Sequence, residues 1–257
     1  MRRKTLPDIV MDFFQFLPGY QHLSYLELGC GDGQMLEALW KEGAQVLGTT
    51  LYDKKDDYIR CRDYPEKLRV DHGVDLNRPL PYGDETFDVV YSMEVIEHVE
   101  GHRNFISEVA RVLKPGGWFV MTTPNLHRAI SRIHFALCGV HLVKERRPPY
   151  SVSLERMGEF HIRCPDFPLL HWLMWQSRLQ IKSLASEYVH PLSKSTMLLA
   201  PLFRFFTKFG LRRYQRPGEE LDEAVNDLSK WMNSRILLTS ERICMLAQKV
   251  EVAAPKV

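Results

Sequence analysis

Alternating strand and helix signals predict an α/β chain built on a doubly wound, mostly parallel sheet. Three observations carry that prediction. Short apolar runs recur at residues 25–28, 44–50, 70–75, 87–93 and 118–123, with helical or turn-rich stretches between them. Gly29, Gly31 and Gly33 alternate at the first strand-to-helix junction. Acids such as Asp75 stand where strands are expected to end. Ligands of such sheets lie beyond the carboxyl ends of the strands, so these motif residues should gather on one rim.

Taken in order, the first strand runs into Glu27, Leu28, Gly29, Cys30, Gly31, Asp32 and Gly33, and Gln34 opens a helix. Glycine here permits positive φ and removes the Cβ that would hold a ligand away from the chain. A dinucleotide fingerprint would want glycine or alanine at position 34 and would set a pyrophosphate on the helix N-terminus. Glu27 and Asp32 oppose that, because a carboxylate about 4 Å from a phosphate costs on the order of 4 kcal/mol at an effective dielectric near 20. A ligand carrying an ammonium, a sulfonium and a ribose, without phosphate, suits these acids. The second strand ends at Thr50, and the third ends at Asp75, followed by Leu76 and the turn-rich residues 77–84. The fourth strand, 87–93, leads through Glu94 to Val99 into a helix over about 102–113. Lys114, Pro115, Gly116 and Gly117 stop that helix before the fifth strand.

At this point the chain resembles the class I S-adenosylmethionine-dependent methyltransferases, whose first motif is an acid followed by G-x-G-x-G; Glu27 to Gly33 matches it position by position. The later signals, Asp75 after the third strand, FDVVYSMEVIEHV and LKPGG, follow in the family's order across the first half of the chain. The resemblance implies a Rossmann-like, seven-stranded sheet whose last strand inserts antiparallel between the fifth and sixth, and S-adenosylmethionine as cofactor. It places Glu27, Gly29, Cys30, Gly31 and Gly33 along the methionine and ribose. It puts Asp75 on the adenine amino group, Leu76 against the adenine, and Ser92 and Met93 beside the methionine. One position departs from the pattern. The family ends its second strand with a ribose-gripping acid where this chain has Thr50, which lacks a carboxylate's bidentate geometry. Tyr52 or Asp53 could reach the ribose instead, and a weakened site would favour an inactive, methyltransferase-like binding subunit.

At 257 residues and 45% hydrophobic content, the chain can bury one full core with an insertion. A formal net charge of +2 carries no message about nucleic acid, and the local basic clusters come with no zinc-finger or RNA-binding signature, so no nucleic-acid partner is expected. Five cysteines, odd in number and without a C-x-x-C pair, point to a reducing compartment and no structural metal. Pro7, Asp8 and Asp12 interrupt any secretory leader, and no stretch reaches the roughly 20 apolar residues of a spanning helix. A cytoplasmic protein is expected.

The remainder should carry the acceptor side. Residues 129–137 read as a helix, 139–157 as part of a lid spanning about 126–160, and 165–175 as an apolar helix. Residues 179–184 and 242–249 resemble the sixth and seventh strands. The core is therefore expected at 1–187 and 241–257, with an insertion at 188–240. Within it, residues 198–213 set Arg204, Lys208 and Arg212 on one helical face among Leu202, Phe203, Phe205, Phe206 and Phe209. Phenylalanines at that spacing favour packing on the core or on a second subunit. A peripheral membrane contact, or a cover for a greasy substrate, is the other reading. Oligomeric state is not encoded.

The segments TTPN, SRIHFALCG and HIR also resemble methyltransferases of bacterial surface-glycan and quinone pathways. That implies a small or lipid-linked acceptor with a hydroxyl on a sugar, glycan or phenol. A hydroxyl acceptor needs a base; His98, His127 and His161 are the candidates, His98 first because its loop should face the methyl group, with Glu94 or Glu97 to orient it.

Overall fold

The computed structural model describes residues 4–51, 68–142, 161, 163–187, 197–212 and 221–250. Among these, seven strands form one sheet: β1 (Ser24–Glu27), β2 (Gln45–Thr50), β3 (Arg69–His72), β4 (Phe87–Met93), β5 (Leu113–Pro124), β6 (Leu179–Ala185) and β7 (Arg242–Lys249). Their order is β3-β2-β1-β4-β5-β7-β6. The first five strands run parallel, and β7 lies antiparallel between β5 and β6, as the resemblance implied. The order reverses at β1, which pairs with β2 on one side and β4 on the other. A crevice therefore opens beyond the carboxyl ends of β1 and β4.

The described residues also form eight α-helices: α1 (Leu6–Phe16), α2 (Gln34–Lys41), α3 (His102–Val112), α4 (Ala129–Cys138), α5 (Phe167–Gln176), α6 (Ala200–Leu211), α7 (Leu221–Met232) and α8 (Arg235–Thr239). Sequence patterning had not marked α1. Its signal is a capping box, in which the Thr5 hydroxyl accepts from Asp8 N and Asp8 accepts from Thr5 N.

Alternation along β4 builds the two layers of the core. Val90 faces a cluster with Phe105, Phe119, Leu170 and Met174, from α3, β5 and α5. Val89 and Tyr91 face the other cluster, with Ile9, Val10, Phe14, Met35 and Leu39 from α1 and α2. Phe14 stands edge-on to Tyr25 and to Tyr91, each at 5.1 Å between centroids.

Three expectations change. β3 ends at His72 rather than at position 75, because Gly73 turns the chain at φ +72°, and Asp75 lies in the following turn. α3 passes directly into β5, where Leu113 pairs with Phe87; the proline–glycine stretch lies in the register shift before Trp118 pairs with Val89. The phenylalanines of α6 do not pack on the core: Leu202, Phe205, Phe206 and Phe209 are all more than half exposed, and of its apolar residues only Ala200 is buried. The helix touches its neighbours through another face. Arg132 lies over the Phe203 ring and donates to the Thr207 hydroxyl. Most of the expected lid, 143–160, lies outside the described residues, as do Tyr52 and Asp53.

Candidate functional site

β1 delivers Glu27 to the crevice, and the chain then turns through Gly29, Gly31 and Gly33 at φ +72°, +53° and +74°. Cross-strand bonds hold the turn against the sheet. Leu28 N donates to Tyr91 O and Cys30 N to Thr49 O, both at 2.9 Å, and Gly29 N donates to the Thr49 hydroxyl at 3.2 Å. Gly33 N donates to Cys30 O at 2.8 Å and Gly33 caps α2. The Cys30 side chain is buried in a small cluster with Leu36 and Leu68, so only its backbone lies on the ligand side. That packing depends on Gly48, where a Cβ would meet Leu36 Cδ1 at 2.4 Å and Cys30 at 3.1 Å.

Two of the turn glycines differ in what a side chain would meet. At Gly29 a Cβ would come within 2.8 Å of the Val95 side chain. At Gly31 it would meet no atom of the described residues within 4 Å. Gly31 thus has open space where a side chain would stand.

Behind the turn, the buried Glu27 carboxylate accepts a hydrogen bond from the Tyr91 hydroxyl at 2.9 Å. Burial pushes its pKa up to about 8; the Tyr91 bond pulls against that rise and the Asp32 charge adds to it. A ligand cation beside Glu27 would restore its ionised form. Asp32 is exposed at the lip, where it accepts from Gln34 N.

On the β2–β3 side, Thr50 is buried as the last residue of β2, and its carbonyl accepts from Val74 N. Asp75 is half-buried. Its Oδ1 accepts from Asn77 N at 2.9 Å and Asn77 Nδ2 at 3.1 Å, while Oδ2 lies 3.3 Å from Arg78 Nε. Asp75 therefore organises its own turn, and its side chain remains 31% exposed. Asn77 extends the brace, accepting from Glu100 N and Gly101 N ahead of α3. Leu76 packs partly against the core. Asn77 and Tyr91 were missed in sequence, since the Tyr91 bond to Glu27 and the Asn77 bonds to Glu100 and Gly101 join residues far apart in the chain.

The end of β4 carries Ser92 and Met93. Ser92 is fully buried, and its hydroxyl has no hydrogen-bond partner among the described residues; Met93 packs partly against the α1 side of the core. Glu94 follows at φ +55°, a conformation that non-glycine residues rarely adopt. It is held there by Thr122, whose hydroxyl accepts from Glu94 N at 3.0 Å, and by Arg242, which donates to Glu94 Oε2 at 2.7 Å and to Glu187 at 2.8 Å. Burial still raises the Glu94 pKa against the opposing pull of Arg242.

A one-turn 3₁₀ helix, Ile96–His98, places the histidine candidates. The His98 and His161 rings stand edge to face at 5.0 Å. Glu97 is fully buried and accepts from the Thr123 hydroxyl at 3.2 Å; burial, then the Glu94 charge, pushes its pKa up to about 8. Glu94 is thus committed to Arg242, leaving Glu97 as the carboxylate nearer His98. His127 lies elsewhere. It is enclosed near Arg132 and His141, and burial drives its pKa down to about 3, which makes it a poor proton acceptor near neutral pH.

Residues 26–121 match the family described as Methyltransferase domain. The chain is 33% identical over 132 residues to the probable S-adenosylmethionine-dependent methyltransferase of Mycolicibacterium smegmatis, covering 48% of this chain and 50% of that protein. It is 29% identical over 143 residues to the ubiquinone biosynthesis O-methyltransferase of Bartonella tribocorum, covering 56% and 57%. The chain therefore spans about half the length of these curated relatives. Among solved structures, an S-adenosylmethionine-dependent methyltransferase from Mesorhizobium loti superimposes with a TM-score of 0.52 at 16% identity, over 95% of this chain and 98% of that one. At that identity the likeness speaks to the fold.

Proposed function

We propose that this chain, whose residues 26–121 match a methyltransferase domain, is a class I S-adenosylmethionine-dependent enzyme that transfers the methyl group to a hydroxyl of a small or lipid-linked polar acceptor, a sugar, glycan or phenol. The observation that carries the reading is the buried Glu27 behind a turn of three positive-φ glycines, with open space beside Gly31. Glu27 and Asp32 attract the ligand's ammonium. The backbone of Gly29, Cys30, Gly31 and Gly33 lies along its methionine and ribose. Thr50 serves the ribose with neutral hydrogen bonds, Asp75 accepts from the adenine amino group, and Leu76 covers the ring. Ser92 and Met93 flank the methionine.

The sulfonium supplies an already activated methyl group. What the residues add is alignment of acceptor oxygen, methyl carbon and sulfur, and exclusion of water. As the oxygen–methyl bond forms and the carbon–sulfur bond breaks, the hydroxyl proton passes to the His98 imidazole and on to water. The ubiquinone relative's name supports an oxygen acceptor.

A lipid-linked acceptor, and peripheral contact with the inner face of a membrane, draw support from α6. At about 100° per residue, Leu202, Phe205, Phe206 and Phe209 share one exposed arc, and Arg204, Lys208 and Arg212 run along its edge.

Asp75→Asn tests the cofactor assignment. Asparagine can keep the Oδ1 bonds to Asn77 but replaces Oδ2 with a donor, which cannot accept from an adenine amino group. Calorimetry should show S-adenosylmethionine affinity falling at least about tenfold, in keeping with the loss of a charge-assisted hydrogen bond. Unchanged affinity would remove Asp75 from the site.

A further inference from the structure

No local metal motif is present in the sequence, yet the fold gathers a compact ligand set from two separate segments. Glu97 and His98 belong to the 3₁₀ turn after β4, and His161 lies on the segment leading to α5. Arg163 N donates to Glu97 O at 3.1 Å, tying the two segments together beside the set. One ligand atom from each of Glu97, His98 and His161 lies within 4.8 Å of the other two. Glu97 is fully buried; Thr123 satisfies Oε2, but Oε1 is enclosed with no hydrogen-bond partner among the described residues. Such an oxygen is costly unless a proton donor or a cation meets it. The nearby cation that could serve, Arg242, is engaged with Glu94 and Glu187.

We propose that Glu97, His98 and His161 form a binding site for a divalent first-row transition cation of the zinc class, on the acceptor side of the crevice. Two imidazoles and a carboxylate suit borderline cations, whereas magnesium and calcium take sets composed of oxygen. Bonds of about 2.1 Å in a tetrahedral zinc site put ligand atoms about 3.4 Å apart. The ligands must therefore draw in from their present spread, and the half-buried His98 and His161 rings are the members that turn. The Thr123 hydroxyl fixes the Glu97 carboxylate from behind, as outer partners do in metal sites. Three protein ligands leave a fourth position, the pattern of a catalytic rather than a structural site.

The role of that open position rests on the methyl-transfer reading. A cation held in the site would act as a Lewis acid, lowering the pKa of an acceptor hydroxyl so that its proton could pass to water, while the methyl carbon–sulfur pair would leave on sulfur. In the loaded protein His98 is a ligand, and the cation takes over its part in acidifying the acceptor.

The test uses full-length protein stripped with chelator and titrated with zinc chloride by calorimetry, and with cobalt(II) by visible absorbance, both without S-adenosylmethionine. The expected result is saturable binding of one equivalent and the absorbance of a low-coordinate cobalt ion. Glu97→Gln, close in shape, and His161→Ala should each weaken zinc binding at least tenfold, while circular dichroism and S-adenosylmethionine affinity report that the fold is intact. No saturable zinc binding by the wild type, or affinity unchanged in both variants, overturns the site. Cofactor titration of the same samples separates the two readings: zinc binding without S-adenosylmethionine binding supports the metal site and refutes methyl transfer, and the reverse refutes the metal site alone.

Discussion

Replacing Gly31 by alanine should separate the cost of a backbone conformation from the cost of blocking a ligand. At φ +53° an alanine sits in the left-handed region, which costs about 1–2 kcal/mol. Because its Cβ meets no described atom within 4 Å, nothing further is added to stability. For a chain of this size that means a melting temperature lower by roughly 2–8 °C. The same Cβ projects where the cofactor is proposed to pass, so S-adenosylmethionine affinity should fall at least about tenfold, equivalent to about 1.4 kcal/mol. Gly116→Ala is the control. Its φ of +73° and open surroundings predict the same thermal loss, but Gly116 lies before the paired run of β5, at the end of the sheet opposite the crevice, and affinity should not change. Gly29→Ala adds the Val95 contact at 2.8 Å, an overpacking cost of about 1–3 kcal/mol more, so it should unfold earlier than either. Differential scanning fluorimetry and calorimetric titration read the two quantities separately. A folded Gly31→Ala protein with wild-type affinity would refute the placement of the ligand along this turn.

Four further outcomes follow from the geometry. Glu27 titrates near 8 in the fold and near the ordinary carboxylate value when unfolded, so its ionisation leaves stability intact below about pH 4.5 and erodes it as pH rises through 8. Denaturation of Glu27→Gln against wild type across pH 5–9 should show the mutant's advantage growing with pH, and a parallel pair of curves would contradict the buried acid. Since a cationic ligand favours ionised Glu27, binding near pH 7 should release protons, read by calorimetry in buffers of different ionisation enthalpy; no release would argue against the contact. Gly48→Ala drives a Cβ into Leu36 and Cys30, and should cost about 1–3 kcal/mol and loosen the glycine turn, seen as a lower melting temperature together with weaker cofactor binding. Finally, wild-type protein should co-sediment with anionic vesicles and Phe205→Glu/Phe209→Glu protein should not; equal sedimentation would exclude α6 as the contact.

The parts of the fold that were legible in sequence are those written in local chemistry. Alternating apolar runs gave the strands, and the glycines before Gln34 gave the turn, because both depend on neighbours in the chain. Asp75 was legible both as a ligand-binding acid and as an ordinary turn acid, but the place where the strand stops was not, since Gly73 ends it two positions earlier and Asn77 then occupies one of the carboxylate's oxygens. Tyr91 as partner of Glu27 follows from the parallel register of β1 and β4, which no single segment specifies. The Glu94–Arg242 pair and the approach of His161 to Glu97 likewise join residues far apart in sequence. The periodicity of α6 defined a face but not its surroundings. Phe205 and Phe209 could equally well have been core, and only tertiary structure shows them exposed.

The most direct test of the central claim is calorimetric titration of the wild-type protein with S-adenosylmethionine, with NAD titrated separately. The account predicts saturable one-to-one binding of S-adenosylmethionine with proton release and no binding of NAD. Binding of neither would contradict it, and would recast the chain as a methyltransferase-like subunit whose Thr50, in place of a ribose-binding acid, no longer holds the cofactor.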